Sequence, residues 1–273
     1  MKQKKLAWFW VLILGGLLTA CGVSRLHQSS PSPETSATLK TESITLTVSA
    51  AASLQNAMEA LDPQFESAYP NIEVNYNFAA SGTLQQQIEQ GASVDLFISA
   101  ASKQMDGLQA KNLIINDTRR NLLSNSLVLV VPRDSVLQIS EFQQLTDPAV
   151  KRISVGEPRS VPAGQYAEEV FENLGILAQL QSKFVYGNSV RSVLGSVESA
   201  NADAGVVYAT DAKISDQVKT VVKAPANLHA PIVYPIAVIA ASAQSEAART
   251  YGQFLASEEA QQVFSQYGFG PGE

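Results

Sequence analysis

From Ile44 onward the chain switches repeatedly between two hydrophobic rhythms. Ile44, Leu46 and Val48 alternate with Thr45, Thr47 and Ser49, the period of two that marks a strand. Leu54, Ala57, Met58, Leu61 and Phe65 then recur at helical spacing, with Pro63 inside the pattern, where it is expected to kink or break the helix. Ile72, Val74, Tyr76 and Phe78 alternate again, residues 84–90 read as a short helix closed by Gly91, and residues 94–98 as a buried strand. Strands are expected at 127–131, before Pro132, and around Ile153 and Val155, 204–208 and 218–222. Helix faces are marked by Tyr166, Val170 and Leu174, and by Val190, Val193, Leu194 and Val197. A long apolar run covers 233–240, and one helix is expected over 251–267, stopped by Gly268. Strands and helices alternate almost throughout, which predicts α/β layers with mainly parallel sheets. No internal repeat is visible.

Four of the strand-to-helix turns are built from small residues: Ala50-Ala51-Ala52-Ser53, Ala79-Ala80-Ser81-Gly82-Thr83, Val161-Pro162-Ala163-Gly164 and Gly187-Asn188-Ser189-Val190. Small residues let a ligand approach the backbone. The first N–H groups of each following helix lack an intrahelical acceptor, and the helix dipole adds partial positive charge there. Such ends suit anions. Ser53 and Ser81 would add hydroxyl donors, or could serve simply as N-caps. Ala163, Val190 and Tyr208 can equally be packing residues. The spacing allows these turns to converge on one small anion at the carboxyl ends of the strands but does not establish it.

Composition narrows the choice. The net charge of −6 disfavours nucleic acid and acidic membrane surfaces as partners. It also repels anions at long range, so an anion site must work through local dipoles and hydrogen bonds. Cys21 is the single cysteine, which excludes an internal disulfide or a thiolate cluster, and His27 and His229 are not spaced as a metal site. No phosphate-binding loop, dinucleotide fingerprint or nucleophile elbow is present. Glu168-Glu169 and Glu258-Glu259 read as solvated helix faces, and Glu157 with Arg159 as a surface pair near the third turn. No catalytic constellation emerges.

The N-terminus reads as an address. Lys2, Lys4 and Lys5 precede an apolar run from Leu6 to Ala20, shorter than the ~20 residues that span a bilayer and suited to a signal peptide. It ends in Leu18-Thr19-Ala20-Cys21-Gly22, which resembles a bacterial lipobox, with Cys21 as the lipidated residue. Residues 1–20 are thus expected to be a signal peptide. The Ser-, Thr- and Pro-rich stretch 21–42 is expected to be a flexible tether. Removing residues 1–20, which carry three lysines and no acid, makes the chain more acidic still.

Several runs resemble the periplasmic molybdate-binding proteins of ABC transporters: Val48-Ser49-Ala50-Ala51-Ala52-Ser53-Leu54, the stretch 78–84, and Gly91-Ala92-Ser93-Val94-Asp95-Leu96-Phe97-Ile98-Ser99-Ala100. Asn125-Ser126-Leu127-Val128, Val155-Gly156-Glu157-Pro158, Val161 to Ala167, Gly205-Val206-Val207-Tyr208 and the stretch 264–269 continue the likeness in order. Some members of that family have serine at Ala80 and Gly82.

The resemblance implies a two-lobed periplasmic-binding-protein fold, each lobe a mainly parallel sheet flanked by helices, with two crossing strands as hinge. Lobe one would be 43–124 with 234–273, and lobe two 125–233, with 127–131 and 233–239 as the crossings. It implies that Ser53, Ser81, Ala163, Val190 and Tyr208 hold the oxyanion, Ala163 and Val190 through backbone N–H, with no cofactor and no direct protein–metal ligand. The ligand would be molybdate or tungstate. The partners would be an ABC permease with its ATPase, and membrane lipid through Cys21. The protein would be a non-enzymatic monomer facing the periplasm or cell exterior. Two other classes remain: a binding protein for another oxyanion such as sulfate, and a hydrolase or transferase using Ser53 or Ser81, which would need a base that the sequence does not offer.

Overall fold

The computed structural model describes residues 43–272. The expected signal peptide 1–20, the tether 21–42 and Cys21 lie outside the described residues. The chain opens with β1 (Ile44–Ala51), a 3₁₀ turn (Ala52–Leu54) and α1 (Gln55–Ala68). β2 (Ile72–Ala79), α2 (Ser81–Glu89), β3 (Leu96–Ile98), α3 (Ser102–Ala110) and β4 (Arg120–Ser124) follow. A second group is β5 (Leu127–Pro132), β6 (Ile153–Gly156), α4 (Pro162–Asn173), α5 (Leu177–Leu180), β7 (Phe184–Gly187), α6 (Val190–Glu198), β8 (Ala204–Tyr208), α7 (Ala209–Lys213) and β9 (Val218–Lys223). The chain returns through β10 (Val233–Val238), α8 (Ser245–Leu255), α9 (Glu258–Gln266) and β11 (Gly270–Pro271).

Two sheets result, ordered β11-β4-β10-β3-β1-β2 and β7-β6-β8-β5-β9. Both are mixed. β1 runs parallel to β2 and β3, and β6 parallel to β7 and β8. These are the strands joined by helical crossovers, as parallel neighbours must be. β10 lies antiparallel to β3 and β4, and β5 antiparallel to β8 and β9. Each is the strand by which the chain enters that sheet from the other one. The two connections between the sheets run side by side: Asn125 N donates to Ile232 O at 3.1 Å, and Ala224 N to Leu127 O at 2.9 Å.

The strand period of two places the core on both faces of the first sheet. Leu96 and Ile98 of β3, with Ile236 and Val238 of β10, pack in one cluster with Leu61 and Phe65 of α1 and Tyr251 of α8. The alternate residues Phe97 and Ala237 join Leu84 and Ile88 of α2 and Met105 and Leu108 of α3 in a second cluster. In the second sheet, α4 and α6 pack on β6 and β8.

Two helical expectations are corrected. Pro63 does not break α1, which continues to Ala68. The carbonyl that Pro63 leaves without a donor is that of Glu59, on the exposed side of the helix, where water can reach it. The single C-terminal helix is two, separated at Ala256–Ser257. Ser257 takes an extended backbone and caps α9, accepting from Ala260 N at 3.2 Å.

Candidate functional site

The four small-residue turns meet. A small cavity is lined by Ala51, Ala52 and Ser53 from the first turn, Ala79 and Ala80 from the second, and Val161, Pro162 and Ala163 from the third. Val190 from the fourth, with Ala100 and Tyr208, completes it. Four of the five expected residues therefore line one space beyond the carboxyl ends of β1, β6, β7 and β8. Ser81 lies just behind it as the first residue of α2, fully buried, with Ala100 N donating to its Oγ at 2.9 Å.

Close backbone approach shapes this space. A Cβ on Gly164 would stand 2.0 Å from Gly156 O, so only glycine lets the start of α4 sit over the end of β6. The N–H groups of Ala163 and Val190 fall in the first turns of α4 and α6, where the helical ladder supplies no acceptor. In α6, the Ser189 side chain takes the Ser192 N–H at 3.2 Å.

Neither serine is a side-chain N-cap. Ser53 Oγ lies 2.9 Å from Tyr234 Oη, and Asn125 Nδ2 reaches Tyr234 Oη at 3.1 Å and Thr210 Oγ1 at 2.9 Å. Burial pushes the Tyr208 and Tyr234 hydroxyls far above their ordinary range, so both stay protonated. Tyr208 Oη is 3.4 Å from Ala100 O, a long contact that leaves its proton available. Neither serine has a histidine or carboxylate among its hydrogen-bond partners. The His229 ring contacts Ala230 O instead.

No side chain lining the cavity is charged. Glu157, close in sequence to the third turn, is held by Arg159 at 3.0 Å, and this partner keeps its carboxyl below the usual range. Behind the cavity, Arg191 follows Val190. Its Nε lies 2.7 Å from Oδ1 of the fully buried Asp211, and its Nη2 donates to Ser53 O at 3.3 Å. Burial pushes the Asp211 carboxyl up to about 6, while Arg191 pulls the other way.

Segments flanking the two sheets also touch directly. Gly82 N donates to Ser160 O at 2.9 Å, and Gln104 Nε2 to Gln165 Oε1 at 3.4 Å. A larger hollow of about 130 Å³, lined among others by Arg119, Arg120 and Arg249, lies apart from these turns. Its arginines are engaged, by Asp106, Gly252 O and Asp117 respectively. Sequence reasoning missed Asn125, Arg191, Asp211 and Tyr234 as site residues. Asn125 lay within a run already matched to the family, and Arg191 beside a singled-out Val190. Nothing in the sequence marked Asp211 or Tyr234.

The chain is 40% identical over 260 residues to a proposed ABC transporter substrate-binding lipoprotein of Bacillus subtilis, covering 95% of this chain and 96% of that one. It is 38% identical to the molybdate-binding protein of Haemophilus influenzae, covering 82% and 89%. The solved substrate-binding domain of a proposed molybdenum ABC transporter from Clostridium difficile superposes with a TM-score of 0.66 at 44% identity, covering 85% of this chain and 100% of that domain. The model of the bacterial extracellular solute-binding proteins matches residues 46–270, and the chain belongs to that family.

Proposed function

We propose that this protein captures molybdate, or the similar tungstate, between two lobes and delivers it to the permease and ATPase of an ABC importer. The observation that carries this reading is the meeting of four helix-opening turns, drawn from both sheets, around one small cavity without a charged lining side chain. Such a site offers hydrogen-bond donors and no strong acceptor. It suits a fully ionised tetrahedral oxyanion.

In this reading Ser53, Ser81 and Tyr208 donate through their hydroxyls, and Ala163 and Val190 through backbone N–H. The metal is bound only as its oxyanion, so no residue ligates it. Lobe one is 43–124 with 234–273, lobe two is 125–233, and the paired connections between the sheets form the hinge. The chain acts as a monomer without catalysis. It is exported by residues 1–20 and held at a membrane by a lipidated Cys21, facing the periplasm or cell exterior. The molybdate-binding relatives support the choice of ligand.

Isothermal titration with molybdate, tungstate, sulfate and phosphate tests it. Molybdate and tungstate should bind tightest. Sulfate should lose by size, because a smaller anion leaves donors from two lobes too far away. Phosphate should lose because its remaining proton would be buried against donors, at a cost of about 1–3 kcal/mol. Phosphate binding as tight as molybdate, abolished in Glu157→Gln, would overturn the reading.

A further inference from the structure

The hydrogen bonds behind Ser53 have a direction. Ser126 N donates to Asn125 Oδ1 at 2.8 Å, which fixes the amide so that Nδ2 faces Tyr234 and Thr210. An amide NH₂ can only donate. Tyr234 Oη therefore accepts from Asn125, and its own proton is directed to its other neighbour, Ser53 Oγ, 2.9 Å away. Ser53 Oγ, having accepted that proton, turns its own away from Tyr234, and Ser53 lines the cavity. Asn125 does not line it. Tyr234 is fully buried and its phenol cannot ionise near neutral pH, so the chain of donors cannot reverse by losing a proton there.

We propose that Asn125 is a positioning residue that sets selectivity: through Tyr234 it fixes Ser53 as a donor to the bound anion and so excludes oxyanions that carry a proton. This rests on the oxyanion reading of the site. Replacing Asn125 by Asp preserves shape and reverses the direction. A carboxylate accepts from Tyr234, Tyr234 then accepts from Ser53, and Ser53 turns a lone pair to the cavity. That lone pair can accept the proton of monohydrogen phosphate.

The test compares molybdate, sulfate and phosphate affinities of the full-length protein, Asn125→Asp and Tyr234→Phe at mildly basic pH, where the new carboxylate is ionised. The added negative charge weakens every anion, so the readout is the ratio of unprotonated to protonated oxyanion. Asn125→Asp should lower the molybdate-to-phosphate and sulfate-to-phosphate ratios by about tenfold or more, the worth of one charge-assisted hydrogen bond. Tyr234→Phe, which frees the Ser53 hydroxyl to turn, should lower them less. Equal weakening of all three anions, or unchanged affinities, overturns the proposal. If the wild type prefers sulfate to molybdate, the ligand assignment fails, while the sulfate-to-phosphate ratio still decides the role of Asn125. A wild type that binds none of the three overturns both.

Discussion

Gly82 and Ser160 meet backbone to backbone: the Gly82 N–H donates to Ser160 O at 2.9 Å, and a Cβ on Gly82 would stand 2.6 Å from that oxygen and 2.7 Å from Ser160 Cα. Gly82 belongs to α2 on the first sheet, and Ser160 to the turn before α4 on the second. The clash would involve backbone, which cannot swing aside as a side chain can. Only glycine permits this distance.

Gly82→Ala should therefore separate two properties that most mutations move together. In the proposed hinge the lobes part when no ligand is bound and the contact opens, so the helix preference of alanine over glycine, about 1 kcal/mol, should leave unliganded stability unchanged or higher. Affinity for molybdate should fall, because the added methyl holds the two sheets apart where they must meet. Denaturant unfolding and titration calorimetry on one sample measure both. Unchanged affinity would show that the liganded protein does not need this contact.

Ser53→Ala and Ser81→Ala should each weaken molybdate binding by about tenfold to a hundredfold, from the loss of one hydrogen bond to a charged group. Both should also lose stability. Ser81→Ala leaves the buried Ala100 N–H without its acceptor, at about 1–3 kcal/mol. Ser53→Ala leaves the buried Tyr234 O–H, whose oxygen still accepts from Asn125, without its own acceptor, at a comparable cost. Equal affinity to wild type in both variants would remove the serines from the site.

Asp211 predicts a pH signature in stability. Burial raises its folded carboxyl from the ordinary 3.8 to about 6. Between about pH 4 and 6 the folded chain keeps a proton that the unfolded chain has released, so this group's contribution to stability falls as pH rises. Asp211→Asn removes the titration. Urea unfolding across that window should show wild type losing stability relative to Asp211→Asn as pH increases. Parallel curves would place the titration elsewhere.

Cys21→Ser should block lipid attachment and alter processing. One acyl chain anchors weakly and two anchor stably, so a diacylated Cys21 should hold the protein in the membrane fraction. Mass spectrometry of the native membrane fraction checks this. An unmodified Cys21 there would refute it.

Much of the fold was written in hydrophobic periodicity, because the strands around Leu46 and Val74 start from alternating apolar and polar residues, β8 is a short run buried throughout, and most helices bury one face. α3 escaped notice, since Met105 and Leu108 are its only large buried apolar residues. The break before α9 was missed because the apolar spacing runs on through it. Ser257 followed by two glutamates carried the stop and restart in a residue's capping chemistry instead. The turns were recognisable one by one. Their convergence was not, since Ser53 and Val190 are brought together only by the packing of one sheet against the other. The Arg191–Asp211 pair and the Asn125–Tyr234 contact join distant residues, and no local spacing records them.

The hydrogen bond from Asn125 N to Ile232 O means that the chain leaves the first sheet and comes back to it at almost the same point. Everything between is an excursion with adjoining ends. A segment of that kind can be lifted out, closed on itself by a short link, or exchanged for the matching segment of a relative, without disturbing the strands that receive it. One half of the anion's surroundings can thus be inherited or engineered as a cassette, while the other half stays as it is.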